Sequence, residues 1–270
     1  MNLMSIIAFV LAGAVLAFGV STAGDWHFFL DSRAFFIVIG GSIAAASIAF
    51  QVDRIFLLFK VFTRRVLKGQ KENYAKLIRE LMILAEAYRT NAVFFDELVK
   101  ENTDPFIREA IQAMLDDVLQ GEELIRVLRT RVATIFARHS EDVIKLKAIG
   151  RYPPAFGLMG TTLSMITLLQ KLGEPGGQKL IGPSMALGLV ATFFGLALAN
   201  LVFQPIAENL HDSAREARVK NIIIVEGVRL IALKTNPIVL AEELNSYLLP
   251  SERIDWKAIK SLRVSDREAA

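Results

Sequence analysis

Charged and apolar positions along this chain fall into long separate blocks. Four stretches contain no Asp, Glu, Lys, Arg or His: Met1–Gly24, Ala34–Val52, Tyr152–Gln170 and Leu180–Ala207. Each has 19 residues or more, and a helix of about 20 residues crosses a hydrocarbon core of about 30 Å. The pattern predicts an all-α polytopic membrane protein with four transmembrane helices. A helical cytoplasmic domain lies between the second and third, and a helical cytoplasmic tail follows the fourth. The block boundaries divide the chain into residues 1–52, 53–151, 152–207 and 208–270.

Between the apolar blocks the period becomes helical and amphipathic. Gln51–Arg65 carries Arg54, Lys60, Arg64 and Arg65 among seven large apolar residues, the composition of an interfacial helix. Leu77, Leu81, Leu84, Ala85 and Tyr88 predict one helical stretch over Lys71–Leu98. Asp104-Pro105 reads as an N-cap with proline in the first turn, opening a helix to about Leu119 that Gly121 ends. Glu122–Ala148 reads as a long amphipathic helix, and Arg151-Tyr152-Pro153-Pro154 opens the third span. Gly173-Glu174-Pro175-Gly176-Gly177 is a loop. In the fourth span, Ala191, Gly195 and Ala199 form a ridge of small residues at four-residue spacing, which lets helices approach closely in lipid. Pro205 predicts a kink, then a helix over Ile206–Lys234. Asn236-Pro237 caps a helix at about Ile238–Leu249, and Arg253–Ala270 reads as a frayed tail.

Charge orients this arrangement. Asp53–Arg151 holds 18 of the 31 Lys and Arg, and Glu208–Ala270 holds 10. The short loops Ser21–Arg33 and Lys171–Lys179 hold the other three. Basic residues stay on the cytoplasmic side, so both termini and the middle segment are expected there. The first span lacks a basic segment before it and is too long for a signal peptide, so it is read as retained. With no Cys there is no thiolate site, and the three His are scattered without a metal-binding pattern. A net charge of +3 without basic runs interleaved with aromatics gives no case for nucleic-acid binding. The outer loop lacks the spacing of a phosphate-binding loop, and no nucleophile–base set points to an enzyme.

The polar chemistry inside the spans is neutral. No carboxylate lies in any of them, although proton movement ordinarily needs a titratable group near mid-membrane. Thr161, Thr162, Ser164 and Thr167 lie in the third span, and Ser184, Thr192, Asn200 and Gln204 in the fourth. If these spans pair antiparallel, Thr161 and Thr192 face each other, and their oxygens suit a hard cation. The other reading is that each hydroxyl bonds back to a carbonyl of the preceding turn. On the cytoplasmic side, Arg89 and Glu97 share one predicted helical stretch, about 12 Å apart along its axis. They are either a docking pair for a charged partner or part of a solvated face.

The runs Pro153-Pro154-Ala155-Phe156-Gly157-Leu158-Met159-Gly160-Thr161, Ile181–Ala186 and Leu189–Gly195 resemble the last two spans of the MotA/PomA family, the larger stator subunit of the bacterial flagellar motor. Asn200–Pro205, Ser251-Glu252-Arg253 and the hydropathy layout are also similar. The resemblance implies a ring of five copies around a MotB/PomB-type partner that supplies the ion-binding Asp. It implies no cofactor, only a transported sodium ion or proton, and torque on FliG of the rotor. By motif, Arg89 and Glu97 correspond to the rotor-facing pair, Pro154 and Pro205 to the coupling prolines, and Thr192 to the threonine on the ion path. Thr161 falls where sodium-type members carry Thr and proton-type members Ala, which favours sodium. Thr90 stands where the family has a second basic residue. The alternative is a related ExbB/TolQ-type energiser ring, whose members ordinarily have three spans and a Glu within the membrane.

Overall fold

A computed structural model of the chain describes residues 3–23, 29, 31–50, 73–90, 92–102, 104–116 and 121–255. The described elements are all helical. They belong to two compact units: Met1–Lys71 with His139–Asp212, and Glu72–Arg138 with Ser213–Ala270.

The first unit begins with α1 (Leu3–Ala23), which is apolar on every side. Its Val10, Leu11, Val15 and Phe18 are each more than 60% exposed, so this helix has an apolar environment only if lipid or another chain supplies it. α2 (Ser32–Ala49) opens on Asp31, whose carboxylate accepts from the Arg33 and Ala34 N–H groups at 2.8 and 3.4 Å. Residues Phe36–Gly40 of α2 wind as a π-helix. Among the described residues, Ser32–Ala49 and a stretch of the continuous helical run Gly177–Ala232 are long and apolar enough to cross a bilayer. The interfacial helix predicted over Gln51–Arg65 lies outside the described residues.

α6 (Gly121–Ile149) ends at a turn, and α7 (Tyr152–Lys171) starts with Pro153 and Pro154 in its first turn. There the missing proline N–H costs nothing. In the loop after α7, Gly176 adopts φ +87°, a backbone that glycine tolerates. α8 (Ile181–Leu198) then runs back antiparallel to α7. A π-turn over Ala199–Phe203 joins α8 to α9 (Gln204–Ala232). Its place fits the chemistry of Pro205, which has no N–H to give and whose ring crowds the carbonyl four residues back. The predicted disturbance at Pro205 is thus absorbed by re-winding just before it, and the helix continues.

α2 packs on the α7–α8 pair through Ala34, Val38, Val190 and Ala191, and the Phe156 ring lies against Gly41. Leu146 of α6 packs with Ile206 and Ala207.

The second unit holds α3 (Tyr74–Thr90), α4 (Ala92–Glu101), α5 (Pro105–Leu115) and α10 (Pro237–Asn245), with the outer parts of α6 and α9. Ile78, Leu81, Leu84, Phe95, Ile107, Leu128, Ile224 and Leu240 are among its fully buried core residues. Gly227 of α9 leaves room for Leu81, because a Cβ there would stand 2.7 Å from a Leu81 methyl. Asp104 does two jobs. One oxygen caps α5 through the Phe106 and Ile107 N–H groups, and the other pairs with Lys220 at 3.1 Å. The nearly buried Glu226 bonds Arg229 at 2.6 Å and faces Arg129 at 3.6 Å.

Three sequence expectations are corrected here. The stretch Lys71–Leu98 is not one helix but α3, which ends at Thr90, and α4, which begins at Ala92. Thr90 and Asn91 are weak helix formers that compete for backbone bonds, and the Thr90 hydroxyl already donates to the Glu86 carbonyl. The helix opened by Asp104 ends at Leu115 rather than near Leu119, where the Gln112 amide donates to the Asp116 carboxylate. α10 stops at Asn245 rather than Leu249 because Asn245 is buried and turned to the tail. Its side chain accepts from the Ile254 N–H and donates to the Ile254 carbonyl. The tail is therefore anchored as far as Ile254, where fraying was expected from Arg253; residues 256–270 lie outside the described residues.

Candidate functional site

The seam between α7 and α8 is built by glycine. Cβ atoms added at Gly157 and Gly195 would stand 2.8 Å from the Ala191 carbonyl oxygen and 2.5 Å from that of Pro153. One at Gly160 would meet the Ala191 side chain at 2.7 Å. Only hydrogen fits at these crossings, so the two backbones come close enough for short side chains to span the gap.

At this close approach Thr161 and Thr192 meet, with their hydroxyl oxygens 2.6 Å apart. Thr161 donates to the Gly188 carbonyl at 2.8 Å. The Gly157 carbonyl lies 3.2 Å from the Thr161 oxygen and 3.3 Å from that of Thr192. The arrangement that uses the shortest contacts has Thr161 donating to Gly188 and Thr192 donating to Thr161. Two hydroxyls and two carbonyls thus form a four-oxygen cluster without formal charge, half-buried between the helices. Both sequence readings of these threonines hold in part: the side chains face each other, and each also lies within reach of a carbonyl one turn back. The two carbonyls were not legible in the sequence, although their glycines were.

Ser164 lies one turn beyond Thr161. It is 3% exposed, and its Oγ has no hydrogen-bond partner among the described residues. Thr162 and Thr167, by contrast, donate to the Leu158 and Leu163 carbonyls, each at 2.9 Å.

Pro154 is half-buried at the start of α7, where its Cα is 3.1 Å from a Cβ built on Gly195. Pro205 is exposed and follows the π-turn. The prolines stand on adjacent helices, but Gly195 and Pro205 are ten residues apart, about 15 Å of helix. No residue connects the two prolines directly among the described residues. At the same end of the pair, Phe203 of the π-turn packs on Gly150, just before α7.

Arg89 and Glu97 are both exposed, on α3 and α4 respectively. Their predicted offset along one helix axis does not apply, because the chain turns between them. No ion pair joins them among the described residues. What fixes their relation is aromatic: the rings of Tyr88 and the buried Phe95 meet at a tilt, with centroids 5.1 Å apart. Val93 and Phe94 are exposed between the two charges, which the sequence reading missed. The available signal was the apolar run Val93-Phe94-Phe95, longer than one buried helix face can absorb. Among the described residues no group of three His, Asp or Glu side chains could hold a metal ion.

The fold defines an all-helical protein with helices long and apolar enough to cross a membrane, and similarity to known proteins narrows the class. Residues 99–221 match the MotA/TolQ/ExbB proton channel family. Motility protein A of Borreliella burgdorferi is 30% identical over 261 residues, covering 94% of this chain and 96% of that protein. A Bacillus subtilis protein designated YtxD, itself uncharacterized, is 29% identical over 272 residues, 97% of each chain. The flagellar MotAB stator complex from Bacillus subtilis has a chain with the same fold. Its TM-score is 0.80 at 23% identity, covering 93% of this chain and 98% of that one. The chain belongs to the MotA/PomA family.

Proposed function

We propose that this chain is the ion-conducting, torque-generating subunit of a flagellar stator in a bacterial inner membrane. In this reading it crosses the membrane four times, keeps both termini in the cytoplasm, and assembles as a ring of five around a MotB/PomB-type partner. The observation that carries the reading is the four-oxygen cluster of Thr161, Thr192 and the Gly157 and Gly188 carbonyls.

The chemistry of the cluster suits a partly dehydrated cation. Neutral oxygens replace waters of hydration one for one, but they supply no countercharge, so they hold a cation weakly. A partner carboxylate supplies the missing charge. Binding is then strong only while that carboxylate stands opposite the cluster, and release follows when the ring has moved past it. Hydroxyls at both Thr161 and Thr192 favour sodium over the proton, which needs no shell of oxygens. Pro154 packs on α8 at Gly195, and Pro205 follows a re-wound turn of the same helix. These are the points where a small change at the seam becomes movement of the helix ends. Arg89 and Glu97, presented on a stapled α3–α4 corner with Val93 and Phe94, form the surface that pushes on FliG.

The test is rescue of a motility-null deletion strain by this chain and its partner, with swimming speed followed across sodium concentrations at fixed pH and osmolarity. Flagellated, paralysed cells that recover in proportion to sodium are expected. Recovery independent of sodium retains the stator and moves the ion to the proton. Normal swimming without the chain leaves a redundant stator set or the ExbB/TolQ-like energiser, whose readout is outer-membrane uptake. Arg89→Glu is expected to slow swimming roughly two- to fivefold with unchanged membrane levels, the scale of an exposed charge contact worth about 0.5–1 kcal/mol. Wild-type speed in that variant would remove Arg89 from the rotor surface.

A further inference from the structure

We propose that Ser164 supplies a further oxygen to the driving sodium ion, one helical turn outward of the threonine cluster. The inference rests on the stator reading above and adds a residue to its ion path.

Ser164 is 3% exposed, and its Oγ is the one buried side-chain oxygen or nitrogen without a partner among the described residues. Buried hydroxyls are ordinarily bonded, because leaving one unpaired costs free energy. A serine inside a helix has an acceptor ready to hand in the carbonyl four residues back. Its neighbours Thr162 and Thr167 use theirs, whereas Ser164 does not bond to Gly160. Packing does not require the hydroxyl either, since alanine would fill the helix position without a polar atom.

The position is specific. Ser164 follows Thr161 by three residues, one turn along the same side of α7 and about 4.5 Å up its axis. Both residues flank the same glycine of α8. A Cβ built on Gly188 would be 3.1 Å from the Thr161 Cα and 3.4 Å from the Ser164 Cβ. The bare backbone of Gly188 therefore packs against both residues and sets the orphan hydroxyl beside the cluster. A cation approaching from the outer loop meets Ser164 first and Thr161 next. The unpaired oxygen is then a waiting ligand that replaces one water as the ion moves inward, and its cost in the empty state is recovered on ion passage.

The experiment is the sodium dependence of swimming in the deletion strain, rescued by the full chain with its partner, for wild type and Ser164→Ala. The variant should need about three- to tenfold more sodium for half-maximal speed, the scale of one lost neutral polar contact. Membrane levels should be unchanged, and the solubilised complex should unfold at the same temperature or higher, because the substitution removes an unsatisfied group. Ser164→Cys, near in size but with a soft sulfur that suits sodium poorly, should shift the curve in the same direction. Curves that superimpose on wild type for both variants overturn the assignment and leave the stator reading intact. Wild-type swimming that ignores sodium overturns both the sodium reading and this assignment, and failure of the wild-type chain to rescue overturns the stator reading itself.

Discussion

Thr192→Val should leave the chain in the membrane, assembled with its partner, and the cells nearly paralysed. Valine copies the branched shape of threonine and removes only the hydroxyl. The fold loses little, because Thr161 keeps its own bond to the Gly188 carbonyl at 2.8 Å. The cluster loses the oxygen that lies 2.6 Å from Thr161 and 3.3 Å from the Gly157 carbonyl. Losing one such buried polar contact is worth about 1–3 kcal/mol, which is roughly five- to hundredfold in the affinity of the path for its ion. Swimming speed, torque on tethered cells and membrane levels check this. Full speed in Thr192→Val would show the paired hydroxyls to be ordinary helix packing. Thr192→Ser, which restores an oxygen, should recover part of the motion.

Gly195→Ala should have a comparable effect on motility by a different route, and it should also lower stability. The added methyl would stand 2.5 Å from the Pro153 carbonyl oxygen and 3.1 Å from the Pro154 Cα. Both are backbone atoms of a proline-stiffened first turn, so no side chain can swing aside. Ordinary contact needs the helices to part by about 1 Å, and overpacking of this kind costs about 1–3 kcal/mol. One turn away, the same displacement takes the Thr161–Thr192 contact from 2.6 Å past the range of a hydrogen bond. A single methyl at a position with no polar chemistry is thus expected to break the polar cluster. A fall in the unfolding temperature of the solubilised complex together with loss of swimming supports this. Retained stability with lost swimming would instead place Gly195 in the moving part of the cycle. Wild-type values for both would mean that the seam is looser than its glycines imply.

Much of this arrangement was legible from the chain alone, for identifiable reasons. Apolar blocks the length of a bilayer and proline-marked starts located α7 and α8. Asp104 and Asn236 announced their helices because cap chemistry is local. The small-residue ridge at Ala191, Gly195 and Ala199 predicted close packing, and antiparallel pairing then placed Thr161 opposite Thr192. The corner between α3 and α4 stayed hidden, because the spacing of Leu77, Leu81 and Leu84 fixes a buried face and says nothing of where the helix stops. The π-turns at Phe36–Gly40 and Ala199–Phe203 leave residue types unchanged, so no period reveals them. The Gly157 and Gly188 carbonyls belong to the backbone and carry no letter of their own. That Ser164 is unpaired depends on what surrounds it, which only packing decides.

The Tyr88–Phe95 staple has a consequence for how this surface responds to ionic strength. Two rings in tilted contact, one of them buried, hold the α3–α4 corner by contact that dissolved salt does not weaken. In the proposed rotor contact, Arg89 and Glu97 would act through fields that mobile ions screen within about 8 Å at physiological ionic strength. Raising cytoplasmic salt should therefore loosen the hold on a charged partner without unfolding the corner that offers it, and dilution should restore it. A cell under osmotic stress would carry a motor whose grip is turned down reversibly, like a clutch whose plate keeps its shape while its pressure falls.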